Sequence, residues 1–474
     1  MTSGKSPLKV AVIGGGLAGL ECALPLLKMG CAVDIIETGY QSRLRHVDWD
    51  KTKHPGDEKV RYWTANEWAA GAGGLSHRLG GRSLCYHGVL LAPSSRMQKF
   101  WGRTWEARFN GQENLYASVI EDLSRFYPEL AARALPSSAE ALGVQHVPQA
   151  ARLDSTNRFE SYSPLDHIKE FVGSDRLNVI REHVSAIRRD KGNTWKIAIT
   201  ANRAMSKLQT VYDRCIFAAS AIGNVQLLAS SLERTIHTTI TDHLCVGAFA
   251  KIRGGQELGH FRHQKLWTGF IPLPNLDTNI FLLERPRAPD GDRVVELMAI
   301  VEQSGEPDYY STLVVNYGFS GALNTHIHGK TSDADLLRLT AVRAKIKQLI
   351  ELLVSGSAKQ LNCSDHLDET VRDDENETDR RWSSYAVALK AVSNSKQSNI
   401  YCEYELPYGG FEHESCCHPV GNRSGISISE NFEVLELPGA YVAGPGVFPR
   451  LSEANPALTI IATSRWLGQY IGHS

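Results

Sequence analysis

The sequence carries almost no net charge. Its 474 residues include 51 Lys and Arg against 52 Asp and Glu, which leaves a formal charge of −1 at pH 7. Nucleic acids and anionic membranes attract proteins that carry an excess of positive charge, and this chain has no such excess. We therefore expect its partners to include neither nucleic acid nor a membrane surface.

Long apolar runs and paired cysteines are also missing. No apolar run approaches the roughly 20 residues that a helix needs to span a bilayer, and residues 1–9 lack the regions of a signal peptide. The nine cysteines are odd in number and include no Cys-x-x-Cys pair, which argues against a disulfide framework or a zinc ribbon. We expect a cytoplasmic protein with reduced thiols and no metal site.

The composition is that of a packed protein. Hydrophobic residues make up 42% of the chain and charged residues 22%, which excludes a disordered chain. The length is about three times that of a 150-residue domain, so we expect two or more lobes.

Residues 178–187 and 194–200 favour strands, and alternating strands from 239 to 317 predict an antiparallel sheet. Apolar side chains recur every three or four positions in 333–354, which predicts a helix.

The first forty residues carry the sharpest local pattern. A short apolar strand at 8–13 precedes the glycine-rich stretch 14–19, and a helix-like stretch 17–29 leads into a second strand at 32–36. The stretch 14–19 satisfies Gly-x-Gly-x-x-Gly, and Glu37 follows 18 residues beyond its last glycine. In such a turn, backbone N–H groups approach a pyrophosphate at the helix N-terminus, and the acidic side chain accepts from ribose hydroxyls. The pattern predicts dinucleotide binding.

Further segments resemble one family, the glucose–methanol–choline (GMC) flavin oxidoreductases. Residues 79–83, Leu-Gly-Gly-Arg-Ser, are similar to its Gly-Gly-x-Ser loop, and 218–224 and 242–243 resemble its alanine/glycine turn and its Asp-His step. Residues 418–422, His-Pro-Val-Gly-Asn, are similar to its His-x-x-Gly-Thr segment, with Asn in place of Thr. Residues 443–460 contain its closing Asn-Pro-x-x-Thr. These segments occur in the family's order, whereas the long middle of the chain matches only loosely.

The resemblance implies an α/β fold. A Rossmann-like FAD-binding domain is expected from residues 1–95, 155–238 and 405–474. A substrate-binding domain with an antiparallel sheet and covering helices is expected from residues 96–154 and 239–404. The flavin is expected between these domains, because ligand sites favour domain junctions.

The resemblance also implies roles for individual residues. The family's His and Asn, which flank the reactive face of the flavin, correspond here to His418, the expected base, and Asn455. A neutral imidazole is a suitable proton acceptor at physiological pH, and an amide orients a substrate without changing the charge balance. The expected cofactor is FAD, and the residues expected to bind it are Gly14, Gly16, Leu17, Ala18, Gly19, Glu37, Gly80, Gly81, Ser83, Ala219, Gly444 and Pro456.

The sequence departs from the family near the flavin ring. Some members carry a covalently bonded His two residues after the Ser of Gly-Gly-x-Ser, where this chain has Cys85, with His87 two residues further on. This departure favours non-covalent FAD. Arg82 either contacts a flavin phosphate or pairs with a carboxylate.

The expected function is FAD-dependent oxidation of an alcohol carbon to a carbonyl, by hydride transfer to flavin N5. The expected substrate is a polar small molecule such as a sugar, an aminosugar or a natural-product polyol. Its candidate aromatic contacts, which could equally be core residues, are Trp101, Trp105, Trp382 and Tyr385. The electron acceptor, oxygen or another, is not indicated. Three alternatives stay open: a flavin lyase on the same scaffold, a NAD(P)-linked dehydrogenase, and a non-catalytic dinucleotide-binding protein.

Overall fold

The structure is a computed structural model. It describes residues 7–39, 59–60, 63–66, 75–192, 194–201, 204–254, 258, 261–304, 311–319, 321–362, 383–421 and 425–474. Within these residues, two large sheets position the candidate site, and smaller sheets and helices surround them. None of the described helices combines the length and the apolar character needed to cross a membrane.

The first large sheet is parallel and five-stranded. Its first strand is central and fully apolar over Val10–Ile13, as expected for a strand covered on both faces. The strands in spatial order are Ala440–Val442, Arg214–Phe217, Lys9–Ile13, Ala32–Glu37 and Leu177–Arg181. The helices that follow its strands are Leu17–Lys28, Ser220–Leu232 and Ala457–His473. The first of these packs along the last, so the two ends of the chain meet.

The second large sheet has six strands and is antiparallel except at one edge. In spatial order its strands are Gly269–Leu273, Thr278–Arg285, Arg293–Val301, Leu244–Ile252, Ile400–Leu406 and Lys359–Gln360. Alternate side chains of a strand point to opposite faces. Accordingly, Val246 and Ala248 join the core that contains helix Asp333–Leu353, whereas Cys245 and Phe249 join the core that contains helix Ser383–Asn394.

The remaining elements are shorter. Four strands form a third sheet, in the order Ile236–Ile240, Ser311–Tyr317, Leu323–His328 and Thr64–Asn66. Three strands form a meander, Val184–Arg189, Trp195–Ala201 and Ala204–Tyr212. Two further sheets have two strands each: Lys59–Val60 pairs with Leu75–Ser76, and Ala151–Leu153 pairs with Phe159–Ser161. The other helices are Ser95–Gln98, Gly102–Asn110, Leu115–Ser124, Ser137–Ala141 and Leu165–Ile168.

These elements confirm the predicted fold class, a parallel sheet with helices plus an antiparallel sheet with covering helices. The strand expected over 178–187 is instead two strands, because the chain leaves the parallel sheet after Arg181 and joins the meander at Val184. Every strand of the parallel sheet lies in the three stretches assigned to the FAD-binding domain. The domain division itself stays a prediction.

The cysteines differ in one respect from the expectation. Cys402 is disulfide-bonded, so the expectation of reduced thiols throughout is wrong for this residue. The free cysteines among the described residues, all buried, are Cys22, Cys31, Cys85, Cys215, Cys245, Cys416 and Cys417.

Candidate active site

A cavity of about 910 Å³ has walls from both large sheets. One wall is the glycine turn of residues 14–18 at the carboxyl ends of the parallel strands. The opposite wall contains side chains of the six-stranded sheet, including Phe281, Leu283 and Met298. A loop over residues 410–414 and the start of the last helix close the sides. This volume and these mixed walls are typical of a small-molecule or cofactor site.

The N-terminus of the first helix opens into this cavity. Gly14, Gly16, Leu17 and Ala18 line it, and no side chain caps the helix. A Cβ added at Gly16 would meet no atom within 4 Å, so this glycine faces open space. Unpaired N–H groups and the helix dipole together favour an anion at such a terminus.

Two other glycines of the pattern serve the turn itself. Gly14 has φ of +106°, and a Cβ there would lie 2.4 Å from the Ala218 carbonyl oxygen. Gly19 does not line the cavity; a Cβ on it would lie 2.0 Å from the Gly14 carbonyl oxygen. Gly19 therefore acts by letting the helix approach the turn, not by facing a ligand.

Glu37 lies beside the turn at the end of the second strand and lines the cavity. Its Oε2 accepts from the Gly15 amide at 2.8 Å, and its Oε1 accepts from the Gly39 amide at 3.0 Å. Burial raises the pKa of Glu37, and these amide bonds lower it in part. A carboxylate has about four acceptor positions, so lone pairs remain for ribose hydroxyls.

The loop at residues 79–83 lies against the glycine turn. The Gly80 amide donates to the Gly15 carbonyl at 2.7 Å, and a Cβ added at Gly81 would lie 3.1 Å from Gly16 Cα. Ser83 Oγ donates to the Gly80 carbonyl at 2.7 Å. Gly81 and Ser83 line the cavity, whereas Gly80 lies behind it with φ of +95°.

The buried side-chain amide of Asn224 forms hydrogen bonds to two further loops at the parallel sheet. Asn224 Oδ1 accepts from the Ala219 amide at 2.8 Å, and its Nδ2 donates to the Ala443 carbonyl at 3.1 Å. Ala219 and Gly444, predicted to bind the cofactor, both line the cavity as a result. Sequence reasoning did not single out Asn224, because its partner is over 200 residues away in the chain.

Asn455 and Pro456 line the cavity just before the last helix. The Oδ1 atom of Asn455 is buried and has no hydrogen-bond partner. Pro456 occupies the N-cap position of that helix, so the Asn455 side chain is not used as the cap. An unpaired polar atom on a cavity wall is costly to bury unless a ligand satisfies it.

His418 lies away from the cavity wall. The residue is fully buried, it is not among the residues that line the cavity, and neither ring nitrogen has a hydrogen-bond partner. A Cβ added at Gly446 would lie 2.1 Å from its Cε1, so the ring occupies the space left by that glycine. Burial lowers the pKa of His418 to about 3. The structure thus does not bring His418 beside Asn455 on the wall, and its role as base stays a prediction.

Charged residues occupy the cavity side nearest Gly81. Arg82 donates to Glu414 through Nη1 at 2.7 Å and Nη2 at 3.3 Å, and to the Glu412 carbonyl at 2.5 Å. Burial alone would lower the pKa of Arg82, but the carboxylates of Glu414 and Glu412 raise it. Of the two roles expected for Arg82, the structure shows the pairing with a carboxylate.

The rings of two histidines, His243 and His413, lie within hydrogen-bond distance of each other. His243 Nδ1 lies 2.8 Å from His413 Nδ1, and His243 Nε2 lies 2.8 Å from the Ser452 carbonyl oxygen. Asp242 accepts from the amides of His243, His413 and Glu412 at 2.7, 3.1 and 3.2 Å. His413 lines the cavity. From the sequence, His413 and Glu414 either line the pocket or merely flank it, and both line the cavity. The contact of His413 with His243 was not predicted, because His243 lies 170 positions earlier in the chain.

The far wall carries a second polar group on the six-stranded sheet. Arg285 Nε donates to Glu296 at 2.9 Å, and the hydroxyls of Tyr385 and Tyr404 donate to the same carboxylate at 3.3 and 3.1 Å. Arg285, Glu296 and Tyr385 line the cavity. Of the other candidate substrate contacts, Trp382 lies outside the described residues. Trp101 and Trp105 are buried and do not line the cavity, so they are core residues.

Comparison with known proteins bears on this architecture. Residues 9–53 match the family described as pyridine nucleotide-disulphide oxidoreductase. A search of curated proteins found no match. Among solved structures, pyridoxine 4-oxidase from Mesorbium loti is similar with a TM-score of 0.62 and 14% identity, over 99% of this chain and 100% of that one. A fungal aryl-alcohol oxidase is similar with a TM-score of 0.62 and 13% identity, over 99% of each chain.

The chain has the same fold as these two oxidases, which are GMC flavoenzymes. This confirms the resemblance drawn from the motifs, at the level of the fold. The residues on the cavity wall also fit the FAD that such a fold implies. Gly16 leaves room at an uncapped helix N-terminus, Glu37 keeps acceptor positions, and Asn455 holds an unpaired amide oxygen.

The two candidate attachment residues differ in their access to the cavity. Cys85 is buried, its Sγ contacts the Arg82 carbonyl oxygen at 3.4 Å, and it does not line the cavity. His87 lines the cavity. Of the two, only His87 therefore has access to a ligand there, and non-covalent binding stays a prediction.

Proposed function

We propose that this protein binds FAD in the cavity and oxidises an alcohol carbon of a small molecule to a carbonyl. The observation that carries the proposal is one continuous cavity. It joins an uncapped, glycine-opened helix N-terminus to a wall that presents Asn455 and His413. The first part suits a dinucleotide phosphate, and the second suits a reacting hydroxyl group.

Each part of the cofactor has a counterpart among the wall residues. The amides near Gly16 are placed for the pyrophosphate, and Glu37 is placed for a ribose. Gly81, Ser83 and Gly444 offer close backbone approach on neighbouring loops. Bound FAD supplies a two-electron hydride acceptor, and the chain must position the alcohol and take its hydroxyl proton.

The far wall supports a substrate that is partly apolar. Trp267 and Phe281, with Phe411 from the loop at its side, provide rings, while Arg285 and Glu296 provide polar contacts. A polyol such as a sugar or aminosugar, expected from the sequence, would use the polar contacts. The two similar oxidases are named for pyridoxine and for aryl alcohols, so we propose aromatic alcohols as a second substrate class.

Anaerobic mixing with a panel of alcohols tests the proposed function. Purified protein should show a flavin absorbance spectrum, and a substrate should bleach it in the absence of oxygen. Product without net bleaching or acceptor consumption would favour the lyase. Colourless protein that cannot be reconstituted with FAD would contradict the proposal, and bleaching by NAD(P)H alone would favour a nicotinamide-linked reaction.

We predict that the FAD is released by acid. Cys85 lies away from the cavity wall, and no His stands at that position to form the family's bond. Acid precipitation should leave the yellow colour in the supernatant. Colour retained in the pellet of wild type but released from a His87→Ala variant would contradict the prediction and identify His87 as the attachment point.

We predict that Tyr385→Phe impairs substrate binding and not FAD binding. The variant loses a hydroxyl that donates to Glu296 on the far wall. In the proposed complex this hydroxyl also faces the substrate. One hydrogen bond lost to the substrate corresponds to about 0.5–1.5 kcal/mol, so KM should rise by about 2- to 10-fold. Tyr401→Phe is the control, because the Tyr401 hydroxyl contacts Gln360 away from the cavity. Loss of the flavin spectrum in Tyr385→Phe would show that this residue supports the fold instead.

A further inference from the structure

The polar group on the far wall of the cavity is built around one carboxylate. Glu296 Oε2 accepts from Arg285 Nε at 2.9 Å and from Arg285 Nη2, and the Tyr385 hydroxyl donates to it at 3.3 Å. The Tyr404 hydroxyl donates to Oε1 at 3.1 Å. These four bonds match the roughly four acceptor positions of a carboxylate. The Glu296 side chain is also only 1% exposed, which leaves a ligand almost no access to the carboxylate.

The backbone of the six-stranded sheet makes room for this arrangement. Gly247 pairs with Met298 on one side and with Tyr404 on the other. A Cβ added at Gly247 would lie 2.5 Å from the Tyr404 hydroxyl oxygen and 2.4 Å from its Cζ. A glycine within a strand often marks such a close approach, and here it lets the Tyr404 ring lie across the strand. Glu296 is thus held in place by the sheet and serves as the counter-ion of Arg285.

The Arg285 guanidinium keeps donors that the protein does not use. Its Nε donates to Glu296, and its Nη2 donates to Glu296 and to the Tyr385 hydroxyl. The side chain is 14% exposed, and Nη1 has no acceptor within the described part of the chain. Arg285 lines the cavity, so the two N–H groups of Nη1 are open to a ligand there. Burial alone would lower the pKa of Arg285, but the Glu296 carboxylate raises it, so the side chain stays charged.

The other positively charged wall residues that the structure describes, Arg82 and Lys265, are engaged elsewhere. Arg82 donates to Glu414 through both Nη1 and Nη2. Lys265 places its Nζ over the Phe159 ring, 5.6 Å from the ring centre. A ligand oxygen on the far wall therefore finds in Arg285 a charged donor that is not already engaged, and such donors make the stronger hydrogen bonds.

The charge around Arg285 selects the kind of acceptor. Glu296 already neutralises the guanidinium, so a ligand carboxylate would bring an uncompensated negative charge to a partly buried wall. The described wall residues also carry more carboxylates, five, than fixed positive charges, three. A ligand ammonium has only donors, and it would face the like charge of Arg285 without an acceptor. A neutral oxygen acceptor meets neither cost.

We infer that Arg285, through Nη1, selects a substrate that carries a neutral hydrogen-bond acceptor, such as a carbonyl, ether or hydroxyl oxygen. The apolar remainder of this substrate packs against Trp267, Phe281 and Met298, which line the same wall. The inference rests on the proposed function, because the acceptor and the reacting alcohol belong to one molecule. Among the proposed substrates it favours aromatic alcohols and neutral polyols over aminosugars, whose ammonium group only donates.

Three ring compounds that carry no alcohol test this selection without turnover. 4-Methylacetophenone offers a neutral acceptor, 4-methylbenzoate an anion and 4-methylbenzylamine a cation on the same ring. Calorimetry with oxidised holoenzyme should show that the acetophenone binds about 10-fold more tightly than each of the others, because each of these brings an unpaired charge. Tighter binding of the benzoate or the amine, equal binding of all three, or no binding at millimolar concentration would overturn the inference.

A paired substitution separates substrate selection from support of the fold. Arg285→Met combined with Glu296→Gln removes both charges, so no carboxylate is left unpaired. The double variant should bind 4-methylacetophenone about 10- to 100-fold more weakly, the effect of losing a hydrogen bond to a charged group. It should also lose the discrimination against the amine, while its flavin spectrum stays unchanged. If the double variant does not fold, Arg285→Lys replaces it and should weaken binding too, because an ammonium lacks the fork that reaches Glu296 and the ligand together.

Arg343→Met is the matched control. Arg343 pairs with Glu403 and Glu405 on the same sheet and does not line the cavity. This variant should keep the wild-type affinities and their order. Wild-type affinities in the folded Arg285 variants as well would show that the Arg285 pair only supports the sheet, and would overturn the inference.

Alcohols that carry the same three groups extend the test to the reaction. They are 4-acetylbenzyl alcohol, 4-(hydroxymethyl)benzoate and 4-(aminomethyl)benzyl alcohol. In anaerobic flavin reduction, the neutral alcohol should need the lowest concentration for half-maximal rate, and the double variant should lose this preference. If no alcohol reduces the flavin while the calorimetric affinities keep their order, the proposed function fails and the role of Arg285 stands. If alcohols reduce the flavin and the double variant keeps the wild-type preference, the role of Arg285 fails and the proposed function stands.

Discussion

Gly16→Val should weaken FAD binding by about 100-fold or more while the protein stays folded. A side chain at this position meets no protein atom within 4 Å and the backbone φ is −79°, so the fold accepts it. The same side chain fills the space at the helix N-terminus where amides would bind the pyrophosphate. Each charge-assisted hydrogen bond lost corresponds to about 1.5–3 kcal/mol, and two such bonds account for the expected change.

FAD titration of apoprotein and thermal unfolding measure the two parts of this prediction. Gly356→Val is the matched control, because Gly356 is exposed, remote from the cavity and also in open space. Gly14→Val should behave differently and unfold at lower temperature, since its side chain would collide with the Ala218 carbonyl at φ of +106°. Unchanged FAD affinity in Gly16→Val would show that the pyrophosphate lies elsewhere.

Asn455→Ala should slow anaerobic flavin reduction by about 10²-fold without loss of FAD. Its side-chain amide stands on the cavity wall with an unpaired, buried Oδ1. Removing one oriented hydrogen-bonding group from a reacting centre typically costs 10²- to 10³-fold in rate. Because no protein partner loses a bond to Oδ1, the variant should unfold at or above the wild-type temperature.

The control for this prediction is Asn431→Ala, whose amide donates to Tyr470 outside the cavity. It should reduce at the wild-type rate. Asn455→Asp adds a second comparison, since a carboxylate beside a hydroxyl that loses its proton should slow the reaction further. Wild-type reduction in both Asn455 variants would remove this residue from the reacting centre.

The N-terminal nucleotide turn was predictable because its determinants are local. Gly14, Gly16 and Gly19 act on a backbone that turns within six residues, and the strands on either side are apolar throughout. The positive φ at Gly14 and the close approach at Gly19 are requirements that only glycine meets readily. Residues 79–83 lie against this turn, since a Gly-Gly pair likewise marks a backbone that must approach another, and their role in binding the cofactor stays a prediction.

The hydrogen bonds of His413 join distant parts of the chain. His413 and His243 are 170 residues apart, and neither position alone indicates which ring nitrogen holds a proton. His418 shows the opposite case, because its motif predicted a cavity residue and Gly446 admits the ring to a buried site instead.

The sequence by itself determined a Rossmann-like nucleotide turn, an antiparallel sheet with covering helices, and the family resemblance, because local backbone requirements and side-chain periodicity specify them. Only the tertiary structure decided which polar side chains share a wall. Arg82 finds Glu414 and His413 finds His243 through the packing of loops that the sequence separates widely. Proton positions in a buried chain of donors and acceptors are set by the last partner, here the Ser452 carbonyl, and that partner is known only once the chain is folded.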